Sequence, residues 1–213
     1  KEIKVENLRH ETIDYPNTLM YEEVYKAARL KPTVSAYEFQ GKKTSYTEFV
    51  KKIEWTARSF TAMGISEGDR VTICMPNVPQ AVDGFYALNR MGAIPAMIHP
   101  LSATEEISFY VAKTKSKAVL TLDIFASKVK KAIQAVGHPV DIIVASVKDA
   151  LPFPINAVYP FTVRSQTKNA FDKRYMIKWK DFMRAGAHIK ELPRPAMKYD
   201  DTALILFSGG TTG

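Results

Sequence analysis

The residues best suited to chemistry stand together in one loop, directly after an apolar segment. This glycine-rich loop consists of Ser208, Gly209, Gly210, Thr211, Thr212 and Gly213. Glycines let backbone N–H groups approach an anion closely, and hydroxyl groups donate hydrogen bonds to phosphate oxygens. The pattern therefore indicates phosphate binding, while composition alone supports an ordinary Gly/Ser/Thr turn equally well. The spacing matches neither the G-x-x-x-x-G-K-S/T nor the G-x-G-x-x-G nucleotide motif.

The apolar segment that delivers the loop, Thr202–Phe207, is predicted to be a buried strand. Upstream of it, short apolar segments alternate with amphipathic segments of about ten or more residues. The predicted strands there are Arg70–Met75, Ala93–Ile98, Ala118–Leu122 and Asp141–Ala145. Such alternation is typical of a parallel sheet with helices on both faces. The sequence therefore predicts an α/β fold with a mostly parallel, doubly wound sheet flanked by helices.

Three predicted helices begin at a capping box, in which a polar side chain and a Glu or Gln three residues later satisfy each other's backbone donors. The predicted boxes pair Ser45 with Glu48, Asn77 with Gln80 and Ser102 with Glu105. Glycines are predicted to end the helices, because glycine adopts the left-handed conformation of a helix terminus. These glycines are Gly64, Gly92 and, after a helix over Phe125–Val136, Gly137.

The elements divide the chain into four predicted regions. Residues 1–33 are a leader with one short helix over 20–30, and residues 34–146 are an α/β sheet subdomain that starts with a strand over 34–39. Residues 147–199 contain five prolines and one short predicted helix near 180–185, so this region is predicted to be a loop-rich connection. Residues 200–213 are predicted to begin a second sheet subdomain that carries the glycine-rich loop.

Composition limits the class of protein. Of the 213 residues, 46% are hydrophobic and 24% are charged, which excludes a disordered chain and a collagen-like repeat. The single cysteine, Cys74, excludes an internal disulfide and a multi-cysteine zinc site, and it favours a reducing, cytoplasmic location. Cys74 is predicted to be a core residue. The longest uncharged segments, Met91–Thr104 and Ala150–Val163, are too short to span a bilayer and contain prolines, so no transmembrane segment is predicted.

The net charge is +8, and six lysines form two clusters. These are Lys113, Lys115 and Lys117, and Lys128, Lys130 and Lys131. Attraction to a polyanion or to an anionic membrane surface is one interpretation, and two solvated helix ends is the other. The second is favoured because no aromatic residues alternate with the lysines, as single-stranded nucleic acid would require. No nucleic-acid partner is therefore expected.

Other polar residues carry no predicted site. The four histidines show no ligand spacing, so no metal site is predicted. They are His10, His99, His138 and His188. Asp200 and Asp201 are adjacent on a predicted extended segment, where neighbouring side chains point in opposite directions, so they are predicted to be solvated.

The string Phe-Ser-Gly-Gly-Thr-Thr-Gly over 207–213 resembles the first half of the phosphate-binding loop of the adenylate-forming enzymes. That family comprises acyl-CoA synthetases, luciferases and the adenylation domains of peptide synthetases. Its loop has an aromatic residue, two small residues and then Gly-Thr-Thr-Gly. The second small residue here is Gly209, a variant that is most similar to the fatty acyl-CoA ligases.

A second, independent part of the chain resembles the same family. Its matching segments are Ser45–Glu48, Gly68–Val71, Met75–Gln80, Met91–Pro95 and Pro100–Leu101. The resemblance thus covers residues 34–122 and 200–213, in the family's order. Two departures are mild: His99 stands where asparagine usually precedes Pro100, and Gln80 replaces a glutamate.

The resemblance implies a two-step ligase that uses ATP, Mg²⁺ and coenzyme A. It activates a small-molecule carboxylic acid, specifically a fatty acid, as an acyl-adenylate and transfers the acyl group to the coenzyme A thiol. The glycine-rich loop would hold the phosphates, and the catalytic residues are expected beyond Gly213, so the 213-residue chain alone is predicted to be inactive. The alternative is a non-catalytic α/β module that holds a nucleotide or a partner.

Overall fold

The computed structural model describes residues 16–167 and 170–207. Its helices are α1 (Met20–Leu30), α2 (Tyr46–Ala62), α3 (Pro79–Arg90), α4 (Thr104–Thr114), α5 (Ala126–Ile133), α6 (Ile155–Thr162), α7 (Arg164–Thr167) and α8 (Trp179–Ala185). Its strands are β1 (Ser35–Phe39), β2 (Lys42–Ser45), β3 (Arg70–Cys74), β4 (Ile94–Met97), β5 (Ala118–Leu122), β6 (Asp141–Ala145), β7 (Met176–Lys178) and β8 (Ile205–Leu206). The predicted helix and strand types of residues 20–145 are confirmed, with ends that shift by up to three residues.

Six strands form one parallel sheet in the order β7-β6-β5-β3-β4-β8. β1 and β2 form a separate antiparallel hairpin, whose turn has positive φ at Gln40 and Gly41. Helices cover both faces of the parallel sheet, because each crossover between parallel strands is made by a helix or a long connection. The predicted fold class, a mostly parallel doubly wound sheet flanked by helices, is confirmed.

Side chains of the central strands alternate between two apolar layers, one on each face of the sheet. Val71, Ile73 and Leu120 pack in the layer that also contains side chains of α2, α3 and α8. Cys74 and Val119 pack in the opposite layer with side chains of α4 and α5. Because both layers are buried, the strands are continuous apolar runs, which explains why they stand out in the sequence.

The region predicted to be a loop-rich connection contributes more regular structure than expected. It contains α6, α7 and β7 besides the predicted α8, and β7 extends the main sheet by pairing with β6. The strand predicted to open a second sheet is β8, and it is instead hydrogen-bonded to β4 of the same sheet. β7 has only three residues, and α6 is apolar and contains Pro160. Neither segment has a clear hydrophobic periodicity, so neither could be predicted from the sequence. The four-region division of the whole chain stays a prediction.

One of the three predicted capping boxes is confirmed. Ser45 and Glu48 exchange hydrogen bonds, from the Ser45 N–H to Glu48 Oε2 over 2.8 Å and from the Glu48 N–H to Ser45 Oγ over 3.3 Å. The box of Ser102 and Glu105 is wrong by one residue, since α4 begins after Ala103 and Glu106 accepts from the Ala103 N–H over 3.0 Å.

The predicted box of Asn77 and Gln80 is wrong. α3 begins at Pro79, and Val78 precedes it with extended backbone angles, so Asn77 lies outside the helix and is exposed. The ring of a proline disfavours helical angles at the preceding residue, and this delays the start of the helix to Pro79. Gln80 is left free to donate elsewhere, and its Nε2 donates to the Ser146 carbonyl oxygen over 2.9 Å.

Glycine ends two helices as predicted. Gly64 and Gly92 have φ values of +81° and +74°, in the left-handed region that favours glycine. At Gly92 a Cβ would also lie 2.8 Å from Pro195 Cβ, so the position is closed to larger residues. α5 ends at Ile133, earlier than the predicted Val136.

Candidate functional site

The predicted phosphate-binding residues Ser208, Gly209, Gly210, Thr211, Thr212 and Gly213 lie outside the described residues. The structure describes the strand that leads to them. In β8, Ile205 pairs with Ala96 and Leu206 pairs with Met97, parallel to β4. The chain therefore leaves β8 at the carboxyl edge of the sheet, the edge at which open α/β sheets bind their ligands.

Phe207, the last described residue before the loop, stacks on Tyr110 of α4. The two ring centroids lie 4.1 Å apart with an interplanar angle of 27°. Stacked aromatic pairs of this kind contribute about 0.5–1.5 kcal/mol beyond the area they bury. Tyr110 therefore anchors the start of the loop, a role that sequence analysis missed because an aromatic residue on an amphipathic helix is usually a core residue. The only sequence signal for this contact was that the family's loop begins with an aromatic residue, which is Phe207 in this chain.

The chain that leaves β4 at the same edge presents groups that suit an anion. His99 is exposed, and its Nδ1 accepts from the Leu101 N–H over 3.2 Å, so the neutral imidazole carries its proton on Nε2 and can donate from there. Lys128 of α5 donates from Nζ to the Ser102 carbonyl oxygen over 3.1 Å, which holds an ammonium group beside this segment. This part of the edge is compatible with an anionic ligand such as a nucleotide phosphate.

Two other lysines of the predicted basic clusters are neutralised by carboxylates. Lys117 Nζ lies 2.7 Å from Asp69 Oδ2, and Lys130 Nζ lies 2.8 Å from Asp172 Oδ2. Hydrogen bonds from Lys130 and then from Arg174 hold the pKa of Asp172 well below its usual range. These contacts favour the interpretation of the clusters as ordinary solvated and paired surface charges.

Other candidates from the sequence have structural roles. Cys74 is fully buried, and burial raises the pKa of its thiol to about 12, so it is a core residue as predicted. His138 Nε2 lies 3.0 Å from the Ser116 carbonyl oxygen, and Asp200 and Asp201 are exposed as predicted. Within residues 16–167 and 170–207, no three His, Cys, Asp or Glu side chains are arranged to hold a metal ion.

None of the helices in the described residues is both long enough and apolar enough to cross a membrane.

Comparison with known proteins decides the family. The model of the family described as AMP-binding enzyme matches residues 24–213, which is most of the chain. The chain belongs to the AMP-binding enzyme family. The resemblance found in the sequence to the N-terminal part of the adenylate-forming enzymes is thereby confirmed.

Individual relatives agree with this assignment. The AMP-binding chain is 28% identical over 208 residues to a long-chain-fatty-acid–CoA ligase of Bacillus subtilis, which covers 97% of this chain and 37% of that ligase. A crystal structure of coronafacic acid ligase from Pectobacterium brasiliense superposes with a TM-score of 0.70 at 16% identity, over 89% of this chain and 33% of that one. The fatty acyl CoA synthetase of Mycobacterium tuberculosis gives a TM-score of 0.64 at 21% identity, over 89% and 32%. The chain thus spans about a third of the length of these proteins, and the two structures support the fold.

Proposed function

We propose that the protein containing this AMP-binding chain is an AMP-forming acyl-CoA synthetase. In the first step a carboxylate oxygen attacks the α-phosphorus of ATP, which forms the acyl-adenylate and releases pyrophosphate. In the second step the thiol of coenzyme A attacks the acyl carbonyl and displaces AMP, which leaves a thioester. Mg²⁺ would neutralise phosphate charge in the first step. A cytoplasmic location belongs to the same proposal.

The observation that carries the proposal is the family's loop string directly after β8, which ends at the carboxyl edge of the sheet. In this proposal Ser208, Thr211 and Thr212 donate from their hydroxyl groups to phosphate oxygens. Gly209, Gly210 and Gly213 keep the backbone open for close approach. Hydrogen-bond donors aimed at the charge that develops on phosphate oxygen contribute strongly to phosphoryl and adenylyl transfer. The His99 and Lys128 groups beside β4 support an anionic ligand at this edge.

The proposed acid substrate is a fatty acid. This choice of substrate rests on Gly209 in the loop and on the similarity to the Bacillus subtilis relative, which is a long-chain-fatty-acid–CoA ligase. The catalytic residues are proposed to lie beyond Gly213. The isolated 213-residue chain is accordingly proposed to have no synthetase activity.

The test is ATP–pyrophosphate exchange by the full-length protein, with Mg²⁺ and a series of saturated fatty acids from acetate to palmitate. We expect exchange that depends on the acid and rises with chain length, and thioester formation when coenzyme A is added. The 213-residue chain, assayed in parallel, should give no exchange. Tight ATP binding by the full-length protein without exchange for any acid would contradict the proposal and leave the non-catalytic module as the function.

A further inference from the structure

The segment around α6 presents four large apolar side chains to the outside of the molecule. Those of Phe153, Ile155, Val158 and Phe161 are between 48% and 82% exposed. Thirteen large hydrophobic side chains of the described residues are exposed, and these four fall within nine consecutive residues. Single exposed hydrophobic residues are normal on a protein surface, whereas a contiguous group marks an interaction site. We call these four residues the α6 surface.

The apolar side chains face outward because of the way α6 packs. The helix contacts the turn Val147–Asp149, which follows β6. Asn156 and Tyr159, and Val163 just after the helix, are partly buried and repeat at three and four residues, so they form the inner face. The members of the α6 surface that belong to the helix lie on its opposite side. No side chain of α6 is buried, so none of the described residues covers this outer face.

The sequence around the α6 surface is strongly basic. No acidic residue occurs between Asp149 and Asp172, and residues 147–180 contain seven basic and two acidic residues. Lys148, in the turn that α6 contacts, and Arg164, at the start of α7, are both exposed. Neither of them forms an ion pair with a carboxylate of the described residues. Their positive charges are therefore free to attract an anionic partner.

Further lysines lie on the same side of the molecule. Lys148, Lys178 and Lys180 line one cavity together with the last residue of α7. Asp123 and Asp149 line this cavity as well, so three ammonium groups there face two carboxylates. Within the part of the chain that the structure describes, Lys178 and Lys180 also form no ion pair. The excess charge beside α6 and α7 is thus positive.

An exposed apolar centre with positive charge around it has the chemistry that binds an anionic bilayer. The acyl chains of the lipids accept the apolar side chains, and the lipid phosphate groups attract the cations. The eight residues of α6 are too few to span a bilayer, so the helix would lie flat in the interface. The turn that α6 contacts follows β6, which is four strand spacings, or about 19 Å, from β8. The glycine-rich loop after β8 would therefore stay free.

We propose that the α6 surface inserts into the interface of a membrane that contains anionic lipids. Its four apolar side chains enter the upper acyl-chain region, while Lys148 and Arg164 lie at the level of the phosphate groups. The protein binds there as a peripheral protein, and this binding requires neither a spanning helix nor the proposed synthetase reaction. Lys117 and Lys130 take no part, because each is paired with a carboxylate.

The test is co-sedimentation of the full-length protein with sucrose-loaded vesicles, in the absence of ATP, Mg²⁺ and fatty acid. One set of vesicles is phosphatidylcholine, and the other is a mixture of phosphatidylcholine and phosphatidylglycerol. We expect at least about tenfold tighter binding to the mixture, because each cation near an anionic surface contributes to the attraction. This preference should decrease in 1 M salt, where the Debye length falls to about 3 Å.

Two outcomes of the sedimentation experiment would overturn the proposal. Equal binding to both sets of vesicles would remove the role of the cations. No binding to the mixture would mean that another part of the protein, a second copy or a protein partner covers the α6 surface. Because ATP and fatty acid are absent, neither outcome affects the adenylation assay, and failure of that assay leaves vesicle binding unaffected.

Matched variants connect vesicle binding to the α6 surface. Phe161→Ala should weaken binding to the mixture at least about tenfold, whereas Phe109→Ala, at an exposed position of α4, should leave it unchanged within about twofold. Arg164→Gln should weaken binding about fivefold, and Arg29→Gln, which changes the net charge equally at the end of α1, should change it less than about twofold. Thermal melting establishes that each variant is folded. Equal losses within either pair of variants would also overturn the proposal.

Discussion

Asp83→Asn is expected to stabilise the protein at neutral pH and not at acid pH. The Asp83 carboxyl is 6% exposed, and burial raises its pKa from about 3.9, the ordinary value, to about 6 in the folded state. The folded protein therefore binds this proton more tightly than the unfolded chain does. Stability from this group is present below about pH 4, falls as the pH rises to about 6, and stays at the lower level above that.

The magnitude follows from the size of the pKa difference. A difference of about two units corresponds to about 3 kcal/mol of unfolding free energy between pH 4 and pH 7. Asparagine has nearly the shape of aspartate and cannot ionise, so the variant lacks this loss. The difference in unfolding free energy, variant minus wild type, should therefore rise by about 3 kcal/mol over that range. All other titrating groups are shared by both proteins and cancel in the difference.

The assay is urea unfolding at a series of pH values, followed by the fluorescence of Trp55 and Trp179. Asp181→Asn provides the control, because the Asp181 side chain is 54% exposed and should change stability by less than about 0.5 kcal/mol at every pH. A difference for Asp83→Asn that stays flat or falls with rising pH would refute the reasoning. It would mean that Lys52 and Tyr37 stabilise the ionised carboxylate by more than burial penalises it.

Three further predictions concern the loop and the core. Thr211→Val should lower ATP–pyrophosphate exchange by the full-length protein about 30- to 150-fold through one lost charge-assisted hydrogen bond, while Asp69→Asn should leave exchange unchanged; equal rates in the two variants would contradict the site. Tyr110→Leu removes the stacking partner of Phe207 and should reduce the exchange rate about two- to tenfold in a folded protein, whereas an unchanged rate would separate Tyr110 from the loop. Phe182→Ala should cost about 3–5 kcal/mol in urea unfolding, because its ring is 1% exposed and lies 4.9 Å from that of Phe60; a loss below about 1 kcal/mol would show that α8 contributes little to the core.

The parallel strands were predictable because they are buried on both faces. β5 and β6 have the predicted bounds, because an uninterrupted apolar run between turn residues marks where a buried strand begins and ends. Helix starts were less predictable. Ser45 caps α2 as its sequence indicates, but at Asn77 the same pattern fails, because the conformational effect of Pro79 on Val78 outweighs the capping preference.

The candidate site was predictable only where one continuous string carries it. Residues 208–213 could be recognised from their order alone. Tyr110 could not be connected to Phe207, nor Gln80 to Ser146, because each contact joins residues that are distant in sequence and adjacent only in the fold. The sequence does contain one indication that Gln80 and Asp83 are buried. These two polar residues lie one turn apart on a face of α3 that also contains the buried Ala87 and Leu88.

The strand order has a consequence for how the chain is synthesised. Of the six parallel strands in the described part of the chain, β3 is synthesised first, and it becomes a central strand of the sheet. β4 then adds on one side, β5, β6 and β7 add in turn on the other side, and β8 adds outside β4. Among these six described strands, each new strand thus joins an edge, and none of the six has to be inserted between two strands that have already paired. At a translation rate of about 5–20 residues per second, the sheet can grow outward in the order of synthesis without breaking any hydrogen bond made earlier.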